Sequence, residues 1–197
     1  MTQGQFRTCS HLIALVALLA LLAAPARATE RAAPDPELRV LLQQAVNESD
    51  SFDDRYHAEV WLLDMSTRLE KRMPDPHKRI ELLRHVHYEA SRVKLPPELV
   101  LAVIEVESNF DRFAISSAGA RGLMQVMPFW LNEIGRPDDN LFSLRTNLRM
   151  GCTILRFYMD KARGDITEAL ARYNGSLGSF RYTNKVFRAL DRRWYAN

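Results

Sequence analysis

Two carboxylates stand two residues apart in the run Val103-Ile104-Glu105-Val106-Glu107-Ser108-Asn109-Phe110, and their surroundings differ. A helical advance of about 100° per residue from 99 to 110 places Glu107 between Val103, Val100 and Ile104, inside the apolar arc. Glu105 falls on the other side, nearer Leu101 and Asn109, where contact with water is expected. Desolvation disfavours an ionised carboxylate, and the carbonyl end of a helix adds negative potential, so both effects raise the pKa of Glu107. An acid that keeps its proton near neutral pH can donate it, which cleavage of a glycosidic bond requires. Asp111 is the next acid along the chain, alongside Glu107 if the helix runs on by another turn and separated from it if the helix ends at Phe110. A loop-capping or solvated role is the expectation for Asp111.

The elements that must hold this acid read as helices almost throughout. The fold class is all-α, with no alternating strand pattern of useful length. A short helix is expected over 37–46 and a longer one over 53–72, where Val60, Trp61, Leu62, Met65 and Leu69 form one apolar stripe. Met73-Pro74-Asp75-Pro76 stops it. Residues 77–93 continue with Ile80, Leu83, Val86 and Val93, and Leu95-Pro96-Pro97-Glu98 is a strong helix start. Residues 111–122 break the periodicity with small and polar residues, as a shaped loop or short hairpin suited to carrying binding groups. Helical spacing resumes over 129–134 and again over 143–161. Gly151 inside the latter costs about 1 kcal/mol relative to alanine unless a close packing partner requires it. A short helix over 165–172 ends in the turn-forming Tyr173-Asn174-Gly175.

Composition limits what such a chain does. Residues 1–28 read as an export signal, with Arg7 before the apolar stretch 12–24 and Ala26-Arg27-Ala28 as the cleavage site near Ala28. That stretch falls short of the roughly 20 residues that span a bilayer. Without residues 1–28 the chain holds 25 basic and 24 acidic residues, so nucleic acid is not expected as a partner. One cysteine, Cys152, remains and is expected as a small buried apolar group. His85 and His87 lack the i to i+4 spacing of a zinc-binding helix and are expected to be surface residues. Arg181, Lys185, Arg188 and Arg192 form a basic stripe opposite Val186, Phe187 and Leu190. It is expected to be the wet face of an amphipathic helix, with attraction to acidic peptides or an anionic membrane as the other reading.

Four strings in order resemble the catalytic domain of soluble lytic transglycosylases, the SLT family of the lysozyme-like superfamily, related to goose-type lysozyme. Glu107-Ser108 looks like the Glu-Ser motif. The segments 114–116 and 119–128 are similar to the central motif, 147–151 to the helix before the third motif, and Ala171-Arg172-Tyr173-Asn174-Gly175 to the third motif itself. The resemblance spans roughly 95–187. It implies an all-helical cleft and non-hydrolytic cleavage of the β-1,4 bond between N-acetylmuramic acid and N-acetylglucosamine in peptidoglycan, yielding a 1,6-anhydro end. Glu107 matches the single acid/base. Ser108, Ser116, Gln125, Met127, Tyr173 and Asn174 match substrate-binding positions, and no metal or cofactor is implied. Arg172 stands where alanine is common, Gly175-Ser176 replaces the usual Ala-Gly order, and Phe129-Trp130 is bulkier than the family norm.

The expected organisation is a signal peptide at 1–28, an N-terminal helical region at 29–94 packed on the rest, and a catalytic domain at 95–197. The expected substrate is the peptidoglycan glycan strand, reached after export, with the periplasm as the compartment. A cell-envelope machine as an additional partner is left open. A hydrolytic goose-type muramidase and a non-catalytic wall-binding or secretion-associated protein are the alternative functions.

Overall fold

A computed structural model describes residues 36–47, 51–52 and 54–195, so the expected signal peptide lies outside the described residues. Among the described residues, eight α-helices run in the order α1 Pro36–Asn47, α2 Arg55–Leu69, α3 Pro76–Arg92, α4 Pro97–Ser108, α5 Trp130–Ile134, α6 Leu144–Lys161, α7 Ile166–Tyr173 and α8 Arg181–Ala189. A π-helical turn, Leu190–Trp194, continues α8. Among the described residues there is no strand, and two isolated antiparallel bridges, Ile115 to Arg121 and Arg121 to Val126, are all the pairing in the loop after α4.

Side chains supply the stop and start signals. Asp54, Asp75 and Asp165 each accept backbone N–H bonds at a helix start, Asp54 from His57 at 2.9 Å and Asp165 from Thr167 at 2.8 Å. Pro76 and Pro97 occupy first-turn positions where no N–H partner is needed. At the other end of α4, Asn109 turns left-handed at φ 48° and Phe110 follows at φ 68°, which ends the helix within one residue.

The centre of the molecule is α4. Leu99 to Ile104 are all buried, on every side of the helix, so neighbours must surround it. Those neighbours are α3, α8 and the π turn, while α6 packs on α3 and α7. Helices α1 to α3 contribute Leu42, Leu62, Leu69, Leu83 and Val86 to the same hydrophobic core as α4 and α6. All the described residues belong to one compact unit.

Two expectations about the early helices change. The stripe of α2 is Ala58, Leu62, Met65, Ser66 and Leu69, while Val60 is exposed and Trp61 only half-buried. The rotation has a polar cause: Ser66 faces inward to accept from Arg79 Nε at 3.1 Å, and Arg79 also donates to the carbonyls of Met73 and Pro74 at 2.8 Å. His87 is not a surface residue. Its ring stacks on Phe52 at 3.5 Å between centroids, meets Trp61 edge-on and pairs through Nδ1 with Ser51 Oγ, while Trp61 Nε1 donates to Glu98 at 2.7 Å.

Candidate active site

Glu107 occupies the last turn of α4, half-buried, with its carboxyl turned toward α8. Tyr182 of α8 donates its phenol hydrogen to Glu107 Oε1 at 2.7 Å, and the Asn174 side chain forms a second hydrogen bond. Burial raises the Glu107 pKa to about 7, against the opposing pull of the Tyr182 and Asn174 hydrogen bonds and the Lys185 charge. Burial and the adjacent carboxylate also raise Tyr182 and Tyr173 well above the ordinary phenol range. Both phenols therefore stay neutral donors while Glu107 titrates. Tyr173 donates to the Met124 carbonyl at 2.7 Å, fastening the end of α7 to the loop that follows α4.

That loop is held by side chains that the family resemblance assigns to substrate. Ser108 Oγ donates to the Leu123 carbonyl at 2.8 Å, tying the end of α4 to the loop. Gln125, at φ 49°, turns its amide nitrogen onto the carbonyls of Gly122 at 2.9 Å and Ala114 at 3.2 Å. Ser116 accepts from the Ala120 N–H at 3.1 Å and pairs with Ala120 through its backbone, closing a small hairpin. The hydrogen-bonding groups of these three residues thus shape the loop, and Met127 lies half-buried just beyond it. Around Glu107 itself the structure gathers Tyr173, Asn174 and Tyr182.

The loop is anchored to α6 by one amide. Buried Asn147 accepts from the Met124 N–H at 2.8 Å and donates to the carbonyls of Arg121 at 2.9 Å and Leu141 at 2.8 Å. Gly122 sits against this amide at φ 74°, where a Cβ would collide with Asn147 and the Leu141 carbonyl. Gly151 has the close partner that its place inside α6 demands, because a Cβ there would run into the Met124 side chain.

Glu105 departs from expectation. It is half-buried and paired rather than left to water: Arg72 Nη2 reaches it at 3.2 Å, Trp194 Nε1 donates to it at 2.9 Å, and Arg193 pairs with it as well. The π turn folds back over α4 and supplies two of these partners, a contact that placing residues on a lone helix cannot reveal. Asp111 lies past the helix end, exposed, where it caps the loop by accepting from the Phe113 N–H at 2.8 Å. Phe129 and Trp130 divide their roles, the first exposed and the second packed against the core.

Tyr182 is the contact that reading the sequence missed. Its spacing was informative, because Tyr182, Val186 and Leu190 recur every four residues on the buried side of the C-terminal helix. A phenol on that side needs a partner for its hydroxyl. Among the described residues, no group of three or more His, Cys, Asp or Glu side chains converges to hold a metal ion. Cys152 is fully buried, and burial raises its thiol far above the ordinary range.

A family model described as the transglycosylase SLT domain matches residues 85–194. The chain belongs to the SLT family. The match begins within α3, ahead of Leu95. The chain is 34% identical over 86 residues to a transglycosylase of Enterobacteria phage PRD1, covering 44% of this chain and 31% of the phage protein. It is 30% identical over 119 residues to the membrane-bound lytic murein transglycosylase C of Photorhabdus laumondii, covering 52% of this chain and 32% of that protein. The chain thus spans about a third of the length of these curated relatives. A solved complex of the 70-kDa soluble lytic transglycosylase with bulgecin A aligns over 78% of this chain and 26% of that one, at 20% identity and a TM-score of 0.45.

Proposed function

We propose that the protein is a peptidoglycan lytic transglycosylase that uses Glu107 as its only acid/base. The observation that carries this reading is a carboxyl raised to about 7 by burial and addressed by Tyr182 and Asn174. The relatives named as transglycosylases supply the substrate class. The reaction starts with Glu107 protonated. Its proton passes to the glycosidic oxygen of the departing N-acetylglucosamine as the C1–O bond of the muramyl sugar breaks. The ionised carboxylate then takes the proton of the muramyl 6-hydroxyl while that oxygen bonds to C1. This step restores the acid and leaves a 1,6-anhydro ring, with no water consumed.

Tyr182 and Asn174 support the second half of the cycle. Their hydrogen bonds favour the charged form, so they steady the carboxylate between its two proton transfers without abolishing the acid. A route with one carboxylate suits the neighbouring acids. Glu105 is committed to Arg72, Arg193 and Trp194 on the other face of α4, and Asp111 caps its loop. Both acids are thus engaged elsewhere, whereas an ordinary retaining glycosidase needs a second carboxylate about 5 Å from its proton donor.

Ser116, Gln125 and Met127 belong to the wall of the cleft in this reading, and Ser108 and Tyr173 hold that wall to α4 and α7. The compartment that fits is the periplasm, reached through an export signal cleaved near Ala28. No helix among the described residues is long and apolar enough to cross a membrane.

Mass spectrometry of digested sacculi tests the reading. Anhydro-muramyl ends support it. Products heavier by one water identify a muramidase instead, and intact sacculi identify a binding protein.

A further inference from the structure

Two consecutive carbonyls, those of Leu123 and Met124, join the element that carries the acid to the element that carries its amide partner. Leu123 accepts from Ser108 Oγ at 2.8 Å, and Ser108 follows Glu107 at the end of α4. Met124 accepts from the Tyr173 phenol at 2.7 Å, and Tyr173 precedes Asn174, whose side chain bonds to Glu107. A displacement of this short stretch of backbone therefore moves Glu107 and Asn174 relative to each other.

One side chain of α6 fixes that stretch. Asn147 is 1% exposed, and its Oδ1 accepts from the Met124 N–H at 2.8 Å while its Nδ2 donates to the carbonyls of Arg121 and Leu141. Turning the amide over would set its NH₂ group against the Met124 N–H and strand buried polar groups, so only one orientation serves. Gly151, one turn further along α6, leaves the room that the Met124 side chain fills. Met124 is thus gripped by Asn147 at its nitrogen and by Tyr173 at its oxygen.

We propose that Asn147 is a positioning residue for bond cleavage, acting through the Met124 backbone to set where Tyr173 and Asn174 stand against Glu107. The proposal rests on the reading of Glu107 as the acid. The groups acting on that carboxyl are Tyr182 and Lys185 of α8 and Asn174 at the end of α7, and Tyr173 is close enough to feel its charge. Asn147 reaches this set through Met124. An amide that served stability alone would need no fixed relation to Tyr173, whereas here the two side chains hold opposite ends of one residue.

The test is a double-variant cycle on the full chain, with turnover of soluble glycan strands measured across neutral pH. Asn147→Ala is expected to lower kcat about 10- to 100-fold, because small misplacements of reacting groups are costly. It also loosens the Asn174 hydrogen bond, which favours the charged form of Glu107, so the alkaline limb of the pH–rate profile moves up from about 7. Tyr173→Phe breaks the same link from the other end, and the double variant is therefore expected within about threefold of the slower single variant. Asn147→Ser, which keeps a small polar group beside Met124, is expected to move the limb in the same direction should the alanine variant fail to fold. Losses that multiply in the double variant overturn the inference. So does an alkaline limb that stays near 7 in the Asn147 variants, since a looser fold alone lowers the rate without moving it. A wild-type chain that leaves strands uncut overturns the proposed function as well, whereas a product heavier by one water overturns the lytic reading alone and leaves the limb to decide the role of Asn147.

Discussion

The two faces of α4 treat the same side chain in opposite ways. Glu105 and Glu107 are separated by one residue, yet Glu105 is surrounded by Arg72, Arg193 and the Trp194 indole, while Glu107 meets a neutral phenol, an amide and a more distant lysine. Full compensation makes the first a joint between α2, α4 and the C-terminal turn. Partial compensation in a desolvated setting leaves the second able to gain and lose a proton near neutrality. What separates a structural acid from a chemical one here is the charge of the neighbours that tertiary packing delivers, since both residues share one helix and half-buried positions.

The strongest way to break this comparison is to remove the proton from one face. Glu107→Gln is expected to lower turnover on sacculi by about 10²–10⁴-fold with helical circular dichroism unchanged. Retention of wild-type turnover would exclude Glu107 as the acid. Tyr182→Phe removes a hydrogen bond that favours the charged form, so the Glu107 pKa moves higher. Turnover is expected to drop about 10- to 100-fold and the alkaline limb of the pH–rate profile to shift up from about 7. A limb that stays in place or moves down argues against the contact.

The opposite face is expected to respond in stability. Glu105→Ala leaves Arg72 and Arg193 without their carboxylate and Trp194 Nε1 without an acceptor. A loss of about 1–3 kcal/mol in urea unfolding is expected, with the alkaline limb of activity still near 7. If the limb moves as far as in Tyr182→Phe, the two faces are not separate.

The smallest effect sharpens the comparison through pH. Glu107 has a folded pKa raised from 4.5 to about 7, so its contribution to stability is complete below about 4.5 and is lost as pH rises through 7. Above that pH the folded state holds an ionised, desolvated carboxylate, which glutamine avoids. Glu107→Gln is therefore expected to be more stable than wild type by about 1–3 kcal/mol at pH 8, and the advantage should vanish near pH 4.5. An equal difference at both pH values would assign the effect to packing.

Local patterns made much of this legible. Proline and aspartate at the helix starts, the apolar run of α4 and the position of Glu107 on it are properties of residues within a few places of each other, and the structure follows them to within a residue or two at most helix ends. The helix expected over 53–72 is longer than α2, because Glu70 to Met73 already belong to the turn that Arg79 holds. Gly151 was readable as a position needing a close partner, but the identity of that partner, Met124, depends on the loop that Asn147 fastens 23 residues away. The least legible features were the longest in sequence. Tyr182 meets Glu107 across 75 residues and Trp194 meets Glu105 across 89, and no periodicity within one helix encodes such a meeting.

That long separation bears on how the protein comes into being. A chain is made from its N-terminus, so Glu107 emerges well before the phenol that meets it. Until α8 docks, the carboxyl lacks the Tyr182 phenol. In the proposed reading, competence to cut therefore arrives with the closing stretch of the polypeptide, and a nascent or clipped chain ending before Tyr182 carries the acid without its phenol partner.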